Sequence, residues 1–293
     1  MKKNPNPLIS FLFGLAIFAG MCPGIKAGEL KFGLSLSGGM AYLNLGDVNA
    51  YIRSRADYYR EESRIAGYPL SGDLQSLHFG FDSSAELLLF LTPRLALSLG
   101  SGYISASAGK GGGGMTVQET SETIHTTNES RLQAVPVTLG LYYFLPLGAG
   151  LRLYAGAGGS FYAAKWTNTH KEDWGYGYSA DYQEDNGQGI GFGGSLGIEF
   201  NVAPALCVFL EGWGRYAKIG NFKGKAEYTS ELEHVVWSGK LYYWESYEWW
   251  TNRWYPCLGT ESEKPSASWY RNIRQGFVDL SGFALHAGLR IRF

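Results

Sequence analysis

The histidines are the side chains best suited to acid–base chemistry near neutral pH. His78 and Asp82 are four residues apart, and in an extended segment this spacing places both side chains on one face. A general acid–base pair would have this arrangement, but a structural hydrogen bond explains it equally well. No histidine is part of a recognisable Ser/His/acid arrangement, and no histidines and cysteines have metal-ligand spacing. We therefore predict a protein that is not an enzyme, with no catalytic residue, no cofactor and no metal site.

Two glycine-rich runs match phosphate-binding motifs by letter only. Lys110–Gly114 (KGGGG) is not framed by a strand and a helix, so we interpret it as a flexible linker. Gly189–Gly194 (GIGFGG) matches a dinucleotide fingerprint but lies inside a predicted strand. There, glycines would permit strand curvature and close packing.

Aromatic residues are concentrated in one long segment, at about residues 221–276. This density suits contact with a glycan or protein partner, or with lipid headgroups. The alternative is an extended hairpin in which the rings pack on one another, and Leu241–Trp250 is compatible with such a strand. Both interpretations stay open. The candidate binding residues are Trp237, Trp244, Trp249, Trp250 and Trp254.

The first residues have the layout of a secretory signal peptide. Lys2 and Lys3 precede the apolar run Leu8–Met21, and Ala27 is a plausible last residue before cleavage. We predict a signal peptide over residues 1–27 and a mature domain over residues 28–293. The formal net charge of −1 gives no indication of nucleic acid binding.

Alternation with a period of two is the strongest pattern in the chain. In the first example, Leu30, Phe32, Leu34 and Leu36 alternate with small or polar residues, which places large apolar side chains on one face of a strand. Eight such segments occur. They begin near residues 30, 77, 95, 135, 151, 190, 208 and 283.

The connections between these segments alternate in length. Short turns are predicted at Thr92–Arg94, Pro146–Gly150 and Ala203–Pro204, and long loops at about 46–74, 108–130, 168–187 and 221–276. This alternation is typical of outer-membrane barrels. We predict an all-β fold, an eight-stranded antiparallel up-and-down transmembrane β-barrel with short periplasmic turns and long outer loops.

A barrel in lipid turns its apolar face outward, so the opposite face lines the lumen. The charged residues of inward parity are of both signs and should pair into a network. The lumen is then either plugged by side chains or open as a narrow polar channel. The predicted network comprises Lys31, Asp82, Glu86, Arg152, Glu199, Glu211, Arg215, Arg290 and Arg292, together with His286.

Two smaller features complete these expectations. The first loop, around Asp47–Ile65, is expected to hold a short helix capped by Asp47, with Tyr51, Ile52 and Tyr59 on one face. Cys207 and Cys257 should lie at opposite ends of the barrel and stay free thiols.

The chain over residues 28–293 resembles the outer-membrane β-barrel domain family, the small OmpA- and OmpX-like barrels. The resemblance rests on the repeated hairpins, on Ala134–Val137, on Tyr154–Gly158 and on the closing strand Leu285–Phe293. A final strand that ends in phenylalanine, here Phe293, resembles the signal read by the barrel-assembly machinery.

This resemblance implies a bacterial outer-membrane protein, with outer-membrane lipid and the assembly machinery as partners, and we expect a monomer. We expect a surface anchor whose loops bind a partner or protect the envelope. One alternative function is a narrow pore for small solutes, and a second alternative is a lipid-modifying enzyme of the outer membrane.

Overall fold

The computed structural model describes residues 31–108, 113–119 and 122–293. The predicted signal peptide and most of the KGGGG run lie outside the described residues. The helix is α1 (Asp47–Ala66). The strands are β1 (Lys31–Leu43), β2 (Leu70–Gly72), β3 (Phe79–Thr92), β4 (Leu95–Ser107), β5 (Gly114–Gln118), β6 (Thr123–Gly148), β7 (Leu151–Asp173), β8 (Tyr178–Ala203), β9 (Leu206–Ser230), β10 (His234–Glu248), β11 (Arg253–Glu261), β12 (Tyr270–Gln275), β13 (Val278–Asp279) and β14 (Gly282–Arg292).

The fold is an antiparallel β-barrel, which confirms the predicted fold class. Among the described residues, eight strands pair in the closed order β1–β3–β4–β6–β7–β8–β9–β14 and back to β1. The short turns at 93–94, 149–150 and 204–205 lie at one end of the barrel, which we name the turn end. The opposite end, which carries α1 and the other strands, is the loop end.

The outward face of the turn-end half is a belt of large, exposed apolar side chains. On β6 this belt runs from Val135 to Leu147 at alternate positions, and the partner strands continue it around the barrel. The predicted parity is therefore confirmed by burial. Other members of the apolar belt are Leu36, Leu87, Leu99, Phe161, Phe192, Leu210 and Leu285.

The loop-end half reverses this polarity. On β6 the outward positions beyond the belt are Glu129 and Arg131, both exposed, whereas the inward Leu132 is fully buried. Trp166, its partner on β7, is also fully buried. The same strand thus has an apolar exterior in one half and an apolar interior in the other.

Three of the predicted loops are largely strand in their described residues, and the predicted loop 108–130 contains β5 and the start of β6. The predicted loop 168–187 is wrong in extent, because β7 continues to Asp173 and β8 begins at Tyr178. The segment 221–276 contains the end of β9, the hairpin β10–β11 and the short β12, as the hairpin alternative anticipated. Backbone pairing beyond the apolar belt extends the barrel because it satisfies amide groups that a loop would leave to solvent.

Helix α1 folds from the first predicted loop and lies across the loop end. Its predicted apolar face is confirmed, since Tyr51, Ile52 and Tyr59 are buried. The predicted cap is wrong: the residue before the first turn is Gly46, and no side chain caps the helix. Asp47 instead accepts two hydrogen bonds of 2.6 Å from Arg274. Among the described residues, no helix combines the length and the apolar character needed to cross a membrane.

Both cysteines are free thiols, as predicted. Cys207 is buried at the turn end, next to the turn at 204–205, and Cys257 lies in β11 at the loop end. The predicted placement of the Gly189–Gly194 run inside a strand also holds, because the run lies within β8. A Cβ at Gly193 would lie 2.9 Å from the Trp213 ring, so close packing explains this glycine.

Candidate functional site

The turn end of the lumen is filled by a cluster of aromatic rings around one arginine. Arg290 is 1% exposed, and its guanidinium lies 4.9 Å from the ring centres of both Tyr154 and Phe209. We name this cluster the turn-end plug. Its apolar members are Leu88, Phe90, Ala96, Tyr142, Phe144, Tyr154 and Phe209.

Glu199 provides the negative charge at this plug. Its carboxylate, which is fully buried, accepts a hydrogen bond of 2.5 Å from Arg290 and also binds Arg152 and Arg292. One carboxylate does not neutralise three guanidinium groups, so the cluster keeps an excess of positive charge, and Arg290 Nε and Arg292 Nε have no hydrogen-bond partner among the described residues. The arrangement fixes the strands that carry these residues, β7, β8 and β14.

A small polar chamber lies between the plug and the loop end. Asp82 binds Arg215 at 2.6 Å and lies 3.6 Å from His286, whose other ring nitrogen is 4.0 Å from Glu211. Glu86 accepts a hydrogen bond of 3.1 Å from a tyrosine of the turn-end plug. The chamber has a volume of about 40 Å³, which suits a few water molecules.

The loop end of the lumen is closed by α1 and a second apolar core. Val48, Ile52 and Ala56 of α1 are almost completely buried against side chains from the barrel wall, among them Leu132 and Trp166. The spacing of the helical residues is that of one helix face. The lumen is therefore closed on both sides of the polar chamber.

A larger cavity lies on the loop side of α1, and we name it the outer cavity. Its volume is about 570 Å³, and α1, β7, β8, β10, β11 and β12 contribute its walls. This volume falls in the range of small-molecule sites. Its aromatic side chains include Tyr58, Tyr59, Trp237, Trp244, Tyr255 and Tyr270.

The rings of the outer cavity are held by contacts to one another and to the sheet. Tyr58 packs edge-on against Tyr255 with 5.5 Å between ring centres, and Trp244 lies 5.8 Å from Tyr270. The indole nitrogen of Trp237 donates a hydrogen bond of 2.6 Å to the Thr260 carbonyl. Fixed rings of this kind present aromatic faces and edges without losing much conformational entropy on binding.

The charge of the outer cavity is predominantly negative. Among the described residues, its lining contains five carboxylates and a single arginine, Arg55. Arg55 lies 4.0 Å from Asp181. Burial raises the pKa of Glu62, and the nearby Glu172 and Glu248 raise it further.

Glu172 forms the base of the outer cavity. It accepts hydrogen bonds from the Tyr59 hydroxyl and from His170 Nε2, the latter at 3.0 Å. Burial alone would favour the protonated carboxyl, but these hydrogen bonds lower the pKa of Glu172. Burial also lowers the pKa of His170, as does the charge of Arg55. Glu172 is therefore ionised at pH 7.

The five tryptophans predicted as binding candidates occupy three different settings. Trp237 and Trp244 line the outer cavity. Trp249 and Trp250 are exposed at the tip of the β10–β11 hairpin. Trp254 packs against Tyr247, and Arg271 lies 4.1 Å above its ring.

The structure divides the predicted lumen charges into the two clusters described above, with one exception. Lys31 is exposed at the first described residue of β1, and it forms no salt bridge among the described residues. It lines a cavity at the rim of the turn end together with Arg152 and Arg292, where none of the described carboxylates lies beside it, so the structure does not bring it into an ion pair. The members of the two clusters are Asp82, Glu86, Glu211, Arg215 and His286 in the chamber, and Arg152, Glu199, Arg290 and Arg292 at the turn-end plug.

The acid–base pair considered in the sequence does not form. His78 precedes β3, stacks on Tyr42 and lies within hydrogen-bond distance of Asn49 and the Leu43 carbonyl. Asp82 instead faces the polar chamber. Among the described residues, no group of three or more metal-ligating side chains is assembled.

The helix contributions to the outer cavity were not anticipated. Arg55, Tyr58, Tyr59 and Glu62 were not identified as site residues, although their spacing places them along adjacent faces of a helix. The helical periodicity of the first loop could have indicated them. The cavity carboxylates that come from strands, such as Glu172 and Glu248, lie far from α1 in the sequence, and no local sequence pattern indicates that they reach the same cavity.

No family model matches the chain, and no curated protein matches it in sequence. Its structural neighbours are outer-membrane β-barrel proteins. Neisserial surface protein A is 12% identical, with 90% of this chain and 97% of that chain aligned and a TM-score of 0.37. A major outer membrane protein from Thermus thermophilus is 13% identical over 90% and 100% of the two chains, with a TM-score of 0.42. The outer membrane protease OmpT from Escherichia coli is 12% identical over 90% and 96%, with a TM-score of 0.31.

Proposed function

We propose that the protein is a non-enzymatic barrel of the bacterial outer membrane, with a plugged lumen and a loop-end unit that binds a ligand at the cell surface. The observation that carries the proposal is the reversal of polarity along β6, β7 and β9. An apolar exterior suits lipid, and an apolar interior with a polar exterior suits water.

The height of the apolar belt fits a bilayer. The span Val135–Leu147 on β6 rises roughly 40 Å along an extended strand. A tilt of about 45° reduces this to roughly 28 Å, close to the hydrocarbon thickness of about 30 Å. In lipid, the closed ring of strands satisfies its backbone groups internally. The remaining length of β6–β9 then stands outside the membrane.

The lumen favours an anchor over a pore. A solute path would have to cross both the Arg290 cluster and the core beneath α1, and both are packed with fully buried side chains. Opening either would expose apolar surface, and opening the Arg290 cluster would also break buried ion pairs. The outer cavity, by contrast, is a space of ligand size, partly open to solvent, at the end that would face the medium.

Epitope insertion tests this orientation. A tag placed between Trp249 and Trp250, at the hairpin tip, should be detected by antibody on intact cells. The matched control is the same tag at Ala149 in a turn-end turn, which should be detected only after the outer membrane is permeabilised. Detection of the turn-end tag on intact cells, or of neither tag in an outer-membrane fraction, would refute the proposal.

A further inference from the structure

The outer cavity combines aromatic walls with an excess of carboxylates, and these two properties together define a class of ligand. Glu62, Glu248 and Glu261 line the cavity, and none of them forms a salt bridge within the part of the chain that the structure describes. Arg55 does not neutralise them, because Asp181 and Glu172 lie near it. The cavity therefore carries negative charge that its own side chains leave uncompensated.

A second feature points to a missing partner. Tyr255 is 7% exposed and lines the cavity, yet its buried hydroxyl has no hydrogen-bond partner among the described residues. A buried polar group without a partner costs free energy. A ligand with a hydrogen-bonding group in the cavity would satisfy this hydroxyl.

The aromatic walls restrict the ligand further. Trp244 and Tyr58 are each fixed by a neighbouring ring, so their faces and edges are preorganised. The face of an aromatic ring attracts a cation, and the attraction grows when the cation is desolvated. A neutral sugar would use the rings but leave the carboxylates uncompensated, and an anion would be repelled.

We infer that the outer cavity binds a small organic cation, an ammonium or guanidinium ion with an apolar part that contacts the aromatic walls. This inference rests on the proposed function, since it names the ligand class of the loop-end unit. The carboxylates Glu62 and Glu248 balance the charge, and Trp244 and Tyr58 contact the apolar part.

A charge series on the intact refolded protein tests the inference. Residues 28–293 in detergent are titrated at pH 7 with 2-phenylethylammonium, with the neutral 2-phenylethanol and with the anion phenylacetate, by tryptophan fluorescence and calorimetry. We expect the cation to bind at least about tenfold more tightly than the alcohol, because two carboxylates within a few ångströms of a charge contribute strongly in a partly desolvated site. The anion should show no binding. Equal affinity of the cation and the alcohol overturns the inference.

Variants locate the site. The double variant Glu62→Gln/Glu248→Gln should lose at least about tenfold in affinity for the cation and nothing for the alcohol. Its matched control, Glu233→Gln in the exposed β9–β10 turn, should leave cation affinity unchanged. Trp244→Leu should weaken binding, whereas Trp249→Leu at the hairpin tip should not. If the double variant does not refold, the single variant Glu248→Gln is titrated in its place, and it should also bind the cation more weakly.

The outcomes separate this inference from the proposed function. Binding of cellobiose without any preference for the cation would overturn the organic-cation ligand and support a glycan. Binding of none of these probes would also overturn it. Neither result changes the outcome of the epitope test, which tests the proposed orientation of the outer-membrane barrel independently of any ligand.

Discussion

Removing the charge of Glu199 should destabilise the barrel more than any exposed substitution. In Glu199→Gln, the buried guanidinium of Arg290 loses its anion while staying 1% exposed and surrounded by rings. Breaking a buried ion pair by removing one partner typically costs about 3–5 kcal/mol. We expect the lower end of this range, about 3 kcal/mol, because glutamine still accepts a hydrogen bond. Arg152 and Arg292, with side chains 15% and 20% exposed, can recover some hydration.

The assay is urea unfolding of the refolded barrel in lipid vesicles, followed by tryptophan fluorescence and by the gel shift between folded and unfolded forms. Glu129→Gln, an exposed outward position on β6, is the matched control and should change the free energy of unfolding by less than about 0.5 kcal/mol. A double-mutant cycle with Arg290→Met should show strong coupling, since the second substitution removes the most buried of the three uncompensated charges. A loss below about 0.5 kcal/mol for Glu199→Gln would refute the reasoning.

Three further predictions concern the loop end. Ile52→Ala in α1, at a fully buried position, should lower the free energy of unfolding by about 2–4 kcal/mol, whereas Ile65→Ala, 40% exposed, should have little effect in the same urea assay. Burial raises the pKa of Asp185 to about 6, whereas the pKa of an aspartate in the unfolded chain is about 3.9. The folded state therefore binds more protons than the unfolded state between about pH 4 and 6. As a result, the folded state loses stability as the pH rises through that window. Asp185→Asn should therefore raise the free energy of unfolding at pH 7 by about 2 kcal/mol and flatten its pH dependence; an unchanged pH profile would contradict this. Asp47→Asn removes the charge that Arg274 binds through two hydrogen bonds of 2.6 Å and should cost about 1–2 kcal/mol, measured as a shift in thermal unfolding that Arg274→Gln reproduces.

The turn-end half of the barrel could be predicted from the sequence because its pattern is local. A period of two assigns each residue to a face, and positions such as Leu139 and Gly140 follow it. The turns after β3, β6 and β8 contain proline or glycine, which ends a strand for local backbone reasons. The face on which a side chain lies and the position of a turn can therefore both be predicted from neighbouring residues alone.

The loop-end half could not be predicted in the same way, because there the apolar side chains of the alternating pattern face the interior of the barrel instead of its exterior. Around Leu132 and Trp166 the apolar residues turn inward, so the alternation continues with reversed polarity. The stretches beyond these residues, 108–130 and 168–187, were interpreted as loops. Helix α1 was anticipated from its periodicity, but the pairing of Asp47 with Arg274 joins residues far apart in the chain. No local rule indicates such a contact.

The candidate site combines both kinds of information. Trp237 and Trp244 were identified by the aromatic density of one segment, whereas Glu62 and Glu172 reach the same cavity from other parts of the chain. Their convergence depends on α1 lying across the loop end and on the length of β7. The charge of the outer cavity therefore becomes visible only after the fold is known.

The central claim is that the lumen is closed at both ends, and single-channel recording of refolded residues 28–293 in a planar bilayer tests it most directly. A folded, inserted barrel should be silent, because the turn-end plug and the core beneath α1 both block the path. Steady, reproducible openings whose size changes when Arg152 or Glu211 is neutralised would contradict the account and establish a pore.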